Sequence, residues 1–294
     1  YEAKRYEEAA AHLGRYVGVY KDNIPAMLKY ADAHLNIRPC KRNNVQHAIG
    51  TYNIILRRDP YNSEAAGRLI GLNLAMEAFG EAERVAKEFL DKTNDLEIRK
   101  MYATTLAKQE KFPEAIAEFR SIIADEPNQI MVYGYLGQMA EQVPAEFKQD
   151  ERLVFWYDRA VNKNPDSALA HISRAAYYLR TGENDKALTQ LEKAESLELN
   201  EENVRIMLAG EYLNAGLLEK AEEHLEAVKA KEPESMTLWS LWAQLAIKAN
   251  SRQKAVEVAE AGLKSLSATP WDFMPKAAEL FIMAGESQRA AECI

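Results

Sequence analysis

The chain has 294 residues, is 47% hydrophobic and 28% charged, and carries a net charge of −8. This is too apolar for a disordered chain, and the acidic balance argues against nonspecific nucleic-acid binding. Alanine, leucine, glutamate and lysine dominate and β-branched runs are scarce, so the expected fold is essentially all-α.

Taken in order, residues 1–23 read as the second helix of a unit whose first helix is mostly missing, with Tyr6, Ala9, Leu13 and Tyr16 marking its core. Residues 24–62 read as a helix pair with a long internal loop around Arg38, Pro39, Cys40, Lys41 and Arg42. Further pairs are expected at 63–95, 96–129, 130–167, 168–201, 202–235 and 236–270. Residues 271–294 give a first helix, Gly285, and a second helix cut off in progress. Lacking an initiator methionine and starting and ending in helical patterns, the sequence reads as a fragment of a longer protein.

Two clocks set this division. Pro127, Pro165 and Pro233 each close an amphipathic segment, and Leu199 stands midway between Pro165 and Pro233, 34 residues from each. Gly182 and Gly216 are also 34 residues apart, and Asn250 stands 34 further on. Glycine, with asparagine as its usual substitute, ends a helix in the left-handed conformation, and proline stops the next. Counting Ala168 as position 1, small residues recur at positions 8 and 20: Ala175 and Ala187, Ala209 and Ala221, Ala243 and Ala255, Ala103 and Ala115. Small side chains there let two antiparallel helices approach closely, while larger groups such as Tyr178, Leu191 and Tyr212 fill the space between. Ser167 and Ser235 stand where N-caps are expected.

A fixed period of this size signals stacked helix-turn-helix units. The alanine and proline series, with Tyr133-Leu136-Gly137 and Trp239-Trp242-Ala243, resembles the tetratricopeptide repeat family over almost the whole chain. The resemblance implies an all-α, right-handed superhelical solenoid that binds partners rather than catalyses. Ile70 at position 8 and Leu153 at position 20 depart from the pattern, and the 130–167 unit carries a loop four residues longer, at 143–150.

No P-loop, G-x-G-x-x-G, G-x-S-x-G, H-E-x-x-H or C-x-x-C occurs. No catalytic residue, metal site or cofactor is therefore expected. His34 and His47 flank one basic loop with Cys40 between them, and a metal site from the three is conceivable, but loop and surface residues with nothing bound is the preferred reading. Carboxylates follow helix-surface patterns, and the aromatic residues fall at core spacing. His171 stands where Tyr133 and Trp239 stand in sister units and reads as a packing residue. No segment is apolar and long enough to span a membrane, so direct insertion is not expected. Two cysteines at opposite ends fit a reducing compartment; the cytoplasm is favoured, with periplasm or envelope the alternative if a signal or anchor was removed. Residues 1–60 carry 10 Lys+Arg against 6 Asp+Glu, so that end is mildly basic while the remainder is acidic. Arg38, Lys41, Arg42, Arg57 and Arg58 could meet an acidic partner or another copy, but a solvated surface is preferred.

By the family resemblance, positions 2, 5, 9, 12 and 13 of the first helices line a concave groove. The expected site is Met131, Gln138, Leu169, Ile172, Leu179, Asn203, Ile206, Leu213 and Asn214: an apolar strip with amides beside it. Such a strip suits an amphipathic helix or an apolar extended segment of a protein partner. Two specialisations of the family are absent in this register. The chaperone-tail clamp fails at Thr104, Tyr135, Leu169 and Ser173, and the asparagine ladder is replaced by Met101, Tyr135, Ser173, Met207 and Leu241. The expected function is a non-enzymatic interaction scaffold holding a partner's peptide or helix. The alternative is the recognition arm of a larger enzyme or envelope-assembly protein. Self-association is left open.

Overall fold

The computed structural model describes residues 5–38, 40–151, 154–197, 199, 201–266 and 270–294. The chain divides into two compact units, Tyr1–Arg152 and Leu153–Ile294. The first holds α1 (Tyr6–Val19), α2 (Ile24–Asn36), α3 (Arg42–Arg58), α4 (Ser63–Ala75), α5 (Phe79–Leu90), α6 (Leu96–Lys108), α7 (Phe112–Asp125) and α8 (Ile130–Gln142). Two 3-10 turns follow, Pro144–Glu146 and Gln149–Glu151. The second holds α9 (Phe155–Lys163), α10 (Ala168–Arg180), α11 (Asn184–Glu195), α12 (Glu202–Asn214), α13 (Leu218–Lys229), α14 (Met236–Lys248), α15 (Arg252–Ser265), α16 (Pro270–Ala284) and α17 (Ser287–Glu292). No strand occurs among the described residues. The division falls inside the expected 130–167 repeat, and Leu153 and Pro39 lie outside the described residues.

In each unit, successive helices pair as hairpins and each hairpin packs on the next. The turn inside a hairpin explains the glycine clock. Position 15 has positive φ in six repeats: Glu77 (57°), Glu110 (60°), Gly182 (78°), Gly216 (79°), Asn250 (47°) and Gly285 (88°). The following amide then reaches back to the helix, as Glu183 does to Tyr178 O at 2.8 Å and Leu217 to Tyr212 O at 2.9 Å. This closes the last turn and satisfies carbonyls the helix leaves open.

The small positions sit where the helices touch. Ala82, Ala115, Ala187, Ala221 and Ala255, all at position 20, are fully buried, as are Ala103, Ala175, Ala209 and Ala243 at position 8. Ile70 is also fully buried at position 8, so that hairpin accommodates a larger group. Five first helices start on side-chain caps: Asn23, Asn62, Asp95, Ser167 and Ser235 accept from the amides of Ala26, Ala65, Ile98, Ala170 and Leu238, while α8 and α12 have none. Each cap is worth about 1 kcal/mol.

The prolines do more than stop helices. The carbonyl of the clock residue accepts a bond from position 4 of the next first helix. Tyr133 Oη donates to Pro127 O at 3.2 Å, and His171 Nε2 lies 3.0 Å from Pro165 O. Arg205 Nη2 lies 3.4 Å from Leu199 O, and Trp239 Nε1 donates to Pro233 O at 2.7 Å. Where Arg99 holds position 4, it turns instead to Glu118 and Asp125, both at 2.8 Å, and fastens α6 to α7.

Candidate functional site

The first helices of the second unit include α10, α12 and α14. On each, positions 2, 6, 9 and 13 share one face, because a residue advances about 100° round an α-helix. These are Leu169, Ser173, Ala176 and Arg180; Asn203, Met207, Gly210 and Asn214; Thr237, Leu241, Gln244 and Lys248. All are at least partly exposed. Asn203 and Asn214 are open to solvent, and Asn214 Nδ2 donates to Glu211 Oε2 at 3.1 Å. Burial pushes the Glu211 carboxyl up, and the Asn214 bond works against that shift. Lys248 Nζ donates to Leu213 O at 2.7 Å, tying α14 to α12.

Positions 5 and 12 lie about 60–80° away from that face, on the side toward the neighbouring first helix. Ile172 is 1% exposed, Ile206 6% and Leu213 1%, all within one buried cluster with Tyr212, Trp239 and Trp242. The expectation that these three line an open groove is corrected: they pack the array. Leu179, also at position 12, is partly buried, and Leu169 keeps partial exposure at position 2. Sequence reasoning misses Met207 and Leu241 as face residues. Their signal lies in position 6, which enters the sequence reading only through the clamp and the ladder.

The first unit supplies Met131, 44% exposed, and Gln138, also exposed, both on α8. Gln138 borders a cleft of about 400 Å³ between α6 and α8. Phe112, Phe119, Tyr135 and Met139 give it apolar walls, and Thr104, Lys108, Gln138 and Gln142 give it a polar edge. The Phe119 and Tyr135 rings pack with centroids 5.4 Å apart. Among the described residues Lys108, Gln138 and Gln142 have no side-chain hydrogen bond or ion pair, so their donors are available. Of the nine expected site residues, only Gln138 lines this cleft.

Other polar groups hold the fold. Glu195 on α11 accepts from Tyr212 Oη of α12 at 2.8 Å and from Lys220 Nζ of α13 at 2.6 Å, and its other oxygen lies 3.3 Å from His224 Nε2. Burial pushes the Glu195 carboxyl up, but the Lys220 and Tyr212 bonds outweigh it and hold it below the usual range. Burial holds His224 below the usual histidine range, against the pull of Glu195. In the first unit His34 and His47 stack with ring centroids 4.6 Å apart, and burial followed by the His47 charge lowers His34. Cys40 is exposed, and no three His, Cys, Asp or Glu side chains among the described residues are placed to share a metal ion. No described helix is long and apolar enough to cross a membrane.

No family model matches the chain, and no curated protein matches it. Solved structures similar to it include a tetratricopeptide repeat protein from Parabacteroides merdae, at 13% identity and TM-score 0.49, covering 89% of this chain and 98% of that one. The thermophilic TPR protein TTC0263 of Thermus thermophilus has 22% identity and TM-score 0.45, covering 63% and 98%. PilW, a type IV pilus biogenesis factor, has 14% identity and TM-score 0.49, covering 68% and 91%. From its own coordinates, with α10, α12 and α14 stepping by 34 residues, alanine at the close approaches and a left-handed residue at the turns, the chain is a helical repeat array, a pattern consistent with tetratricopeptide repeats.

Proposed function

We propose that this chain is a non-enzymatic scaffold that holds a peptide or helix of a partner protein on the face of its first helices. The observation that carries the reading is the cleft between α6 and α8, where aromatic walls meet glutamine and lysine side chains that no neighbour uses. An apolar side chain of the partner enters between Tyr135, Phe112 and Met139. Gln138 and Gln142 hydrogen-bond its backbone, and Met131 extends the apolar contact along α8. In the second unit Leu169, Met207 and Leu241 offer apolar contact, Leu179 borders it, and Asn203 and Asn214 offer amides. Apolar area covered in this way contributes about 25 cal/mol per Å², offset in part by ordering the ligand. The partner is a protein rather than a nucleic acid, because the net charge of −8 opposes a polyanion.

Peptides selected on the whole chain from a random library test the reading. Tyr135→Ser and Gln138→Lys should each weaken the selected peptide about tenfold, the size of one lost anchor, while the circular dichroism spectrum and melting temperature stay at the parent's. Unchanged affinity in both folded variants places the peptide elsewhere and sinks the proposal.

A further inference from the structure

A second cleft, of about 520 Å³, lies between the second helices α3 and α5 of the first unit, lined by those two helices and the residues that follow them. Leu56, Val85 and Phe89 form its apolar floor, with Val85 5% and Phe89 4% exposed. Three cations border it: Arg57, Arg84 and Lys92. Arg84 is already compensated, 2.9 Å from Glu81 and 2.8 Å from Glu88. Arg57 and Lys92 are exposed and make no ion pair or side-chain hydrogen bond among the described residues. The other basic residues of this end are spent or stand apart: Arg58 lies 3.5 Å from Asp22, and Arg38 donates to Leu35 O at 2.7 Å. Arg57, from the mildly basic residues 1–60, and Lys92, from beyond them, thus give this cleft two unused positive charges beside apolar surface.

We propose that the α3–α5 cleft docks an acidic segment of a partner protein, with an apolar side chain on Leu56, Val85 and Phe89 and carboxylates on Arg57 and Lys92. The site is separate from the first-helix face and does not depend on it. Charge complementarity selects the occupant: two uncompensated cations want carboxylates, and the apolar floor wants a side chain. A nucleic-acid backbone suits the cleft less well, since Glu88 lines it and would repel a run of closely spaced phosphates, whereas a peptide can set its carboxylates apart on Arg57 and Lys92.

The test uses the whole chain and a short fluorescent peptide alternating glutamate with leucine, read by anisotropy, beside a glutamine-leucine twin. The acidic peptide should bind at low salt, weaken as salt screens the cations, and outbind its neutral twin. Combined Arg57→Glu and Lys92→Glu should weaken it about tenfold or more, the scale of losing charge pairs at an interface. Lys41→Glu with Arg42→Glu, an equal charge change off the cleft, should leave it unchanged. If the cleft variant loses helical signal, Arg57→Gln with Lys92→Gln replaces it in the same comparison. Four results overturn the proposal: no preference for the acidic peptide, equal loss in the Lys41/Arg42 variant, stronger competition by a single-stranded oligonucleotide than by unlabelled peptide, or a salt-sensitive self-association removed by the cleft variant, which would make a second copy the occupant.

Discussion

The indole N–H of Trp239 donates to the carbonyl of Pro233 at 2.7 Å. This bond joins the end of one repeat to the first turn of the next, and chemically different donors repeat it at the matching places: Tyr133 to Pro127, His171 to Pro165 and Arg205 to Leu199. The shared element is therefore a backbone carbonyl and a donor six residues on, not one residue type. Leu199 supplies the same carbonyl as the prolines, and Tyr, His, Arg and Trp each reach it from position 4, whereas Arg99 turns to Glu118 and Asp125 instead.

Trp239→Phe tests the value of this link. It keeps most of the ring and removes the donor. The expected cost is about 1 kcal/mol, the net worth of one hydrogen bond, read as a lower urea midpoint with unchanged slope. A midpoint equal to the parent's would mean that the ring packing alone holds the junction.

Hairpin turns offer a change in both directions. Glu77 has φ 57° where sister repeats place glycine, and a non-glycine residue there costs about 1–2 kcal/mol. Glu77→Gly should raise the melting temperature, and Gly216→Ala, at φ 79°, should lower it. Opposite signs from two repeats of one array check the turn assignment against general effects of flexibility.

These turns also mark how far the sequence could be read. Glycine and asparagine at position 15 announce a left-handed residue, so Gly182, Gly216 and Asn250 were legible. Glu77 carries no such preference, and only tertiary packing forces it there. The close-packed alanines were legible because size alone decides them. The groove was not, because amphipathic spacing says which side of a helix is apolar but not whether water or the next repeat covers it. Ile172 and Leu169 are three residues apart on one helix, yet only the first is buried.

Close approach predicts steric sensitivity. A Cβ on Gly262 would stand 2.4 Å from Phe273 Cε1, and Phe273 is fully buried. Gly262→Ala must push that ring, at about 1–3 kcal/mol. Ala187→Leu and Ala221→Leu should cost a similar amount by separating helices at position 20. Thermal denaturation of the three variants reads this directly, and a parent-like midpoint for both alanine variants would mean the repeat register is wrong.

Acid should weaken the second unit through His224 and Glu195. The folded form holds His224 below its ordinary value of 6.5, so the unfolded chain binds more protons. The stability this contributes is present above pH 6.5 and is lost as pH falls through the folded value. Glu195 is also held below its ordinary value of 4.5, so its contribution disappears lower down, as pH falls beneath 4.5. Melting temperature should therefore drop from neutral to mildly acidic pH, with His34 adding the same sign from the first unit. His224→Gln should shrink the drop without removing it. An identical pH profile in parent and variant would exclude His224 as a contributor.

The last prediction separates packing from binding on the first helices. Ile172 and Ile206 are buried at 1% and 6% exposure, and an aspartate at either place would leave a carboxylate among apolar side chains. Burying an unpaired charge costs several kcal/mol before the group protonates instead, so Ile172→Asp and Ile206→Asp should melt far below the parent or fail to fold. Leu169→Asp puts the same charge on the partly exposed face, beside solvent, and should leave melting nearly unchanged. If the partner lies across that face in the second unit, Leu169→Asp lowers its affinity while the helical signal persists. If Leu169→Asp folds and binds as the parent does, Leu169 makes no contact with the partner. If instead Ile172→Asp and Ile206→Asp fold with the parent's midpoint, both side chains are open to water, and the division of the first helices into packed and free positions fails.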